Sequence, residues 1–76
     1  MRNNGYPSKA RIDTLRARYP KGTRVELVFT SDPYTRLTPG TRGTVDYVDD
    51  AGTIQISWDN GSHLGMIPGE DEVRKL

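Results

Sequence analysis

The first regular pattern of hydrophobic and polar positions lies between Lys9 and Tyr19 and has the spacing of a helix. Apolar side chains recur at i, i+3 and i+7, which places them on one narrow stripe. The stripe consists of Ile12, Leu15 and Tyr19. Ser8 suits the N-cap position, and Pro20 stops the pattern. Because a free helix of this length is marginal in water, we expect it to pack on another surface.

From Thr23 onward the period changes to two, which is typical of half-buried strands. In the first of these segments Val25, Leu27 and Phe29 are expected to point to one face. Later segments have the composition of further strands. They are Gly43–Val48, Thr53–Trp58, Ser62–Ile67 and Glu72–Lys75. The sequence therefore predicts five short strands.

The segments between these strands carry turn and loop signals. Asp49–Gly52 predicts a turn, and Asn60-Gly61 suits a tight hairpin because both residue types tolerate positive φ. Pro68–Asp71 resembles one turn of 3₁₀ helix. The longest connection, residues 31–41, contains two prolines, and we expect it to be ordered but irregular. Loops of this kind often hold the recognition residues of a small domain.

Five antiparallel strands, a long first loop and a one-turn break before the last strand match the layout of an SH3-like barrel. The predicted fold class is therefore mainly β: a five-stranded SH3-like antiparallel barrel preceded by one N-terminal amphipathic α-helix. We expect residues 1–22 to form a basic arm with the helix and residues 23–76 to form the barrel. With 76 residues, one hydrophobic core is the most that the chain can build.

The formal net charge of +1 conceals two parts of opposite sign. Residues 1–24 contain seven bases against one acid, a charge of +6, whereas residues 25–76 contain four bases against nine acids, a charge of −5. Such asymmetry is typical of a nucleic-acid-binding arm. Alternatively, the arm docks on its own acidic barrel, and the sequence leaves both interpretations open.

The bases of the helix divide into two flanks. At about 100° per residue, Arg11 and Arg18 lie on one side of the apolar stripe, and Lys9 and Arg16 lie on the other. The surface on which the stripe packs is then bordered by cations on both sides. We take Arg11, Arg16 and Arg18 as candidate binding residues for an anionic ligand; the alternative is that the helix covers an open end of the barrel with its arginines in solvent.

The composition excludes several classes of protein. The chain has no cysteine, so neither a disulfide framework nor a thiolate metal site can stabilise it. No apolar run approaches the roughly 18 residues of a membrane span, and the first residues lack the apolar core of a signal peptide. We therefore expect no membrane partner, no cofactor and a location in the cytoplasm.

The sequence contains no catalytic constellation. A nucleophile-and-base site needs a Ser, Thr or Cys next to a histidine that an acid orients. The single histidine, His63, follows Ser62, but neighbours along a strand point to opposite faces. One histidine and scattered acids also lack the spacing of a metal-ligand cluster. We expect a binding protein rather than an enzyme.

Aromatic and basic residues outside the helix complete the candidate ligand-binding set. Tyr34 lies in the long loop, where no periodicity requires it for the core, and Arg36 and Arg42 can neutralise a phosphate beside a stacked base. Trp58 is either a core residue or an aromatic platform, and we include it with His63. The alternative is that Tyr34 plugs one end of the barrel and the two arginines pair with nearby acids.

Four short motifs follow one another within the stretch from Arg24 to Leu76. They are DPYT (Asp32–Thr35), PGTRGTV (Pro39–Val45), VDDAG (Val48–Gly52) and WDNGSHLG (Trp58–Gly65). In their order and spacing they resemble the small proteins grouped as domain of unknown function 4314. The resemblance implies an SH3-like fold and an origin in phages or mobile elements of Gram-positive bacteria, and it implies no activity. Residues 43–61 are also similar to KOW-like small barrels, in which a Gly-X-Val strand precedes a Trp-Asp-X-Gly hairpin.

Three functions from different classes fit these observations. The first is a phage or mobile-element binding module, with a role in anti-defence, that binds a host protein or, as a homo-oligomer, a small signalling nucleotide. The second is a nucleic-acid-binding accessory protein, which the acidic barrel disfavours because it repels a polyanion. The third is a structural or assembly protein whose helix is swapped onto a neighbouring copy. The first is our working prediction.

Overall fold

The structure is a computed structural model that describes residues 7–76. Within this range one helix precedes one antiparallel sheet of four strands, which is in the order β3-β2-β1-β4. The elements are α1 (Lys9–Arg18), β1 (Arg24–Phe29), β2 (Arg42–Val48), β3 (Ile54–Trp58) and β4 (Glu72–Lys75). The prediction of a mainly β protein with an N-terminal helix is confirmed.

Helix α1 begins and ends close to the predicted residues. The Ser8 side chain accepts a hydrogen bond from the Arg11 backbone N–H at 3.2 Å, which caps the first turn, and Tyr19 is the C-cap. Ile12 and Leu15 are buried, so the predicted apolar stripe is the face that packs on the sheet. In the described part of the chain, no helix combines the length and the apolar character that a membrane crossing needs.

The core lies between the inner face of the sheet and α1. Alternate residues of the three longer strands face inwards, as the period of two predicts. The buried cluster consists of Leu15, Val25, Leu27, Leu37, Val45, Val48, Ile54, Ile56, Trp58 and Met66. Leu15 is the helix residue of this cluster, and Leu37 anchors the long loop to it.

One strand residue differs from its predicted environment. We expected Phe29 to share the inner face with Val25 and Leu27, but Phe29 is 56% exposed. The pairing of β1 with β4 shifts register between Leu27 and Phe29. A bulge adds a residue on one strand and changes the face to which the following side chains point, so alternation predicts the wrong side beyond it.

The predicted strand Ser62–Ile67 is not among the four strands. Met66 forms an isolated bridge with Ile54 through two backbone hydrogen bonds of 2.9 Å, and the Ser62 carbonyl accepts from the Trp58 backbone N–H at 2.9 Å. Between these two points, the Leu64 carbonyl accepts a hydrogen bond from the Trp58 indole at 2.8 Å. The segment therefore follows β3 at both ends without forming a continuous ladder in between.

The four-stranded sheet has two edges, β3 and β4, that are not hydrogen bonded to each other. A closed barrel would join them. The described residues thus form an unclosed four-stranded antiparallel sheet with one helix, and they do not show a five-stranded barrel.

Candidate functional site

A groove of about 240 Å³ lies between α1 and residues 66–73. We call it the α1 groove. Its lining residues are Arg11, Leu15, Arg18, Tyr19, Ile54, Met66, Pro68, Gly69, Asp71, Glu72 and Val73. Apolar side chains from the core, cations from the helix and two acids from the opposite wall therefore meet at one opening.

The position of the α1 groove follows from the open sheet. Ile54 belongs to edge strand β3 and pairs with Met66, whereas Val73 belongs to the other edge strand, β4. All three line the groove, so it lies where the two edges approach one another without pairing. Helix α1 covers this gap, and its residue Leu15 packs into the core from above it.

Arg11 and Arg18 form the basic flank of the α1 groove, seven residues apart on the same side of the helix. Neither forms an ion pair within residues 7–76. The Lys75 ammonium donates to the Arg18 carbonyl at 2.8 Å and lies 5.6 Å from the centre of the Tyr19 ring. The Arg18 guanidinium lies 5.7 Å from the same ring, so two cations border one aromatic side chain.

The other flank of α1 is neutralised within the chain. Arg16 donates from Nε to the Val48 carbonyl at 3.1 Å and forms an ion pair with Asp50 at 2.8 Å. Lys9 pairs with Asp13 one helical turn later at 3.1 Å. The predicted division of the helix bases into two flanks is thus visible in the structure, and only one flank keeps its charge without a carboxylate partner among the described residues.

Asp71 stands on the opposite wall of the α1 groove and is a structural carboxylate. It accepts hydrogen bonds from the backbone N–H groups of Ile67 and Ser31, both at 2.8 Å, and from the Thr30 hydroxyl at 2.9 Å. Burial alone would raise the pKa of Asp71, but these hydrogen bonds together hold it below its usual value. Asp71 therefore joins the end of β1 to the turn before β4.

The remaining predicted site residues do not converge on the α1 groove. Tyr34 is 92% exposed in the long loop, and Arg36 follows it with an exposed side chain and no ion pair within the described range. Arg42 pairs with Glu26 at 3.2 Å on the outer face of the sheet. His63 is exposed in the segment that links β3 to Met66. The exposed candidates therefore lie on several surfaces rather than in one site.

Trp58 belongs to the core. It is 3% exposed, and its indole N–H is satisfied by the Leu64 carbonyl. Of the two interpretations that the sequence leaves open, core residue or aromatic platform, the burial supports the first. In the part of the chain that the structure describes, no three His, Cys, Asp or Glu side chains come together as a metal site.

The outer face of the sheet carries a charge network that the sequence analysis missed. Glu26 accepts from Arg42 at 3.2 Å and from Arg74 at 3.1 Å, so one carboxylate joins three strands. The hydrogen bond from Arg74 holds the pKa of Glu26 below its ordinary value, with burial opposing it. The two terminal guanidinium nitrogens of Arg24 donate to the two carboxylate oxygens of Asp59 at 2.8 and 2.7 Å. Alternation with Val25 and Leu27 places Arg24 and Glu26 on the opposite face, but the register of the strands was needed to pair them with their partners.

The profile of the family described as Domain of unknown function (DUF4314) matches residues 8–76. The chain belongs to this family. No curated protein and no solved structure matches it. We had expected the likeness to cover the stretch from Arg24 to Leu76, but the family match also includes α1. The family match of this DUF4314 protein therefore includes the helix and the residues that line the α1 groove.

Proposed function

We propose that this DUF4314 protein is a non-catalytic module that binds an anionic nucleotide in the α1 groove and acts by stoichiometric binding. The observation that carries this proposal is the placement of Arg11 and Arg18. They line the same groove, and neither has a carboxylate partner within residues 7–76. Guanidinium groups bind phosphate oxygens through paired N–H donors.

The composition of the groove supports a nucleotide over a simple inorganic anion. Its floor is apolar, with Leu15, Ile54 and Met66 at the base, and the Tyr19 ring borders it. A phosphate on the basic flank would leave a flat base free to cover this apolar surface. Asp71 and Glu72 on the opposite wall oppose a continuous polyanion, so the groove fits a small nucleotide better than a long nucleic acid.

Several finer predictions accompany this function. The SH3-like fold is one of them, and its support is that residues of the two edge strands β3 and β4 line one groove. A phage or mobile-element origin is another, and its support is the family motifs. Action in the host cytoplasm and a role against host defence complete the proposal, and the small size of the chain fits action by stoichiometric binding. The non-catalytic character is supported by His63, the chain's one histidine, which is exposed and outside the groove.

Isothermal titration calorimetry at low salt tests the proposal, with a nucleoside monophosphate, a cyclic dinucleotide and a single-stranded oligonucleotide as ligands. The double variant Arg11→Gln/Arg18→Gln should weaken nucleotide binding at least about tenfold, since each charged hydrogen bond contributes on the order of 1.5–3 kcal/mol. Affinity should also fall as salt rises, because the two arginines are exposed.

Lys9→Gln is the matched control, since it removes one positive charge from the same helix on the flank away from the groove. Its affinity should stay within about twofold of the unchanged protein. Equal losses in Lys9→Gln and in the double variant would mean that the helix charge as a whole attracts the ligand. If none of the three ligands gives a heat of binding at low salt, the nucleotide proposal is wrong.

A further inference from the structure

Three apolar side chains are exposed on the two segments that Asp71 joins, which are the end of β1 with the start of the long loop and the residues before β4. Phe29 is 56% exposed, Tyr34 is 92% exposed, and Ile67 is 44% exposed. We call these three residues, with the neighbouring acids Asp32 and Glu70, the loop surface. Exposed aromatic and aliphatic side chains on neighbouring segments are typical of a protein interaction site.

Internal hydrogen bonds hold the loop surface in place. One oxygen of Asp71 accepts from the Ser31 N–H and the other from the Ile67 N–H, both at 2.8 Å, which brings the two segments side by side. The Asp32 carboxylate accepts from the Tyr34 N–H at 2.8 Å and fixes the turn that presents the tyrosine. The apolar side chains are therefore presented by an ordered backbone, which lowers the entropy cost of binding.

The net charge of the segments that carry the loop surface is negative. Residues 28–37 and 67–72 contain four acids and one base, a charge of −3. The Asp71 carboxylate accepts the hydrogen bonds described above. Asp32, Glu70 and Glu72 form no ion pair within residues 7–76. A partner that covers the apolar side chains must therefore bring positive charge to the rim.

We propose that the loop surface is a docking site for a basic, apolar segment of a partner protein. Leucine-like or aromatic side chains of that segment cover Phe29, Tyr34 and Ile67, and its lysine or arginine side chains meet the surrounding carboxylates. This site is separate from the basic flank of the α1 groove and has the opposite charge. The chain then presents a negative docking surface for a protein as well as a positive site for an anion.

Calorimetry on the full chain tests this proposal with a short synthetic peptide of leucine and lysine residues. The lysine peptide should bind saturably, and its counterpart with glutamate in place of lysine should not. Tyr34→Ala should lower the affinity for the lysine peptide roughly tenfold, because truncation of a central aromatic contact has an effect of this size. Ile67→Ser should weaken it in the same direction, and Arg11→Gln/Arg18→Gln should leave it unchanged.

Tyr47→Ala is the matched control, because Tyr47 is another exposed tyrosine but lies in β2, away from the loop surface. Its affinity should stay within about twofold of the unchanged protein. Equal losses for Tyr34→Ala and Tyr47→Ala would overturn the proposal, and so would equal binding of the lysine and glutamate peptides. Self-association in light scattering that Tyr34→Ala abolishes would also overturn it, since a second copy would then occupy the surface. Because Tyr34 is almost fully exposed, its substitution tests binding without unfolding the core.

Discussion

The Trp58 indole N–H donates to the carbonyl oxygen of Leu64 at 2.8 Å. This bond satisfies the polar atom of a side chain that is otherwise enclosed by the core. It lies between the two points at which residues 62–66 bond to the β3 backbone, where the predicted fourth strand does not pair continuously.

Trp58→Phe is expected to lower the free energy of unfolding by about 2–3 kcal/mol. The ring becomes smaller in a packed core, and the Leu64 carbonyl loses its donor. Urea denaturation followed by far-UV circular dichroism measures the change. Tyr47→Phe, which alters an exposed aromatic, should shift the free energy by less than about 0.5 kcal/mol. A loss below 0.5 kcal/mol for Trp58→Phe would show that the indole bond does not stabilise the fold.

Gly43→Ala is expected to destabilise the protein through a direct clash. A Cβ at this position would lie 2.7 Å from Cγ2 of Ile56, 2.9 Å from the Trp58 ring and 3.0 Å from the Ser57 carbonyl oxygen. Overpacking of this kind costs about 1–3 kcal/mol, because two of the neighbours are core side chains and the third is backbone. Thermal denaturation should show a lower midpoint.

Gly61→Asn is the control for a glycine without neighbours. Nothing lies within 4 Å of the Cβ position there. The φ of 92° strains any side chain, but asparagine tolerates positive φ better than most residues. Its midpoint should stay within a few degrees of the unchanged protein. Equal denaturation midpoints for Gly43→Ala and Gly61→Asn would contradict this prediction. They would mean that β2 and β3 accommodate a Cβ at Gly43 with no loss of stability.

Asp71→Asn is expected to change the pH dependence of stability. The pKa of Asp71 is held below its usual value in the folded protein, because hydrogen bonds to the carboxylate outweigh its burial. A depressed pKa stabilises the fold above the unfolded pKa of about 3.9, and this stabilisation is lost as pH falls from there through the folded pKa. The loss should therefore begin near pH 4 and continue below it.

Urea midpoints at pH 7, 5 and 3 measure this dependence. At pH 7 the variant should be less stable by about 1–2 kcal/mol, since a neutral amide cannot accept from all four donors that converge on the carboxylate. Between pH 5 and 3 the variant should lose less stability than the unchanged protein. The pKa of Asp49 is also lowered, so Asp49 contributes to the pH dependence of the unfolding free energy in both proteins. Parallel slopes would show that Asp71 does not contribute to the acid sensitivity.

Arg16 tests whether the helix is docked by a backbone contact or by an ion pair. Its Nε donates to the partly buried Val48 carbonyl, whereas its ion-pair partner Asp50 is fully exposed. Exposed ion pairs contribute little, so Asp50→Asn should cost less than about 0.5 kcal/mol. Arg16→Ala should cost about 1 kcal/mol, because the Val48 carbonyl also loses its donor. Urea denaturation measures both changes. Equal losses of unfolding free energy in Arg16→Ala and Asp50→Asn would show that the ion pair, and not the bond to Val48, holds the helix in place.

Much of the fold was predictable because local patterns decided it. The i, i+3, i+7 spacing of Ile12, Leu15 and Tyr19 identified the buried side of α1, and alternation placed Val25 and Leu27 inside. The candidate site was predicted less completely. Helical geometry placed Arg11 and Arg18 on one flank, but the acids and apolar residues that complete the α1 groove come from distant parts of the chain.

The sequence by itself determined the helix, its cap, the two flanks of bases and the positions of all four strands, because these depend on period and on local turn chemistry. Tertiary structure decided what long-range contacts control. Packing against β2 brought Arg16 to the Val48 carbonyl and left Arg11 and Arg18 beside the groove. A register shift in the pairing of β1 with β4 turned Phe29 outwards, and residues 62–67 pair with β3 only at isolated points instead of forming a fifth strand. Neither outcome follows from the hydrophobic pattern. The pattern indicates whether a residue prefers a buried or an exposed face, but not which atoms of distant residues it contacts.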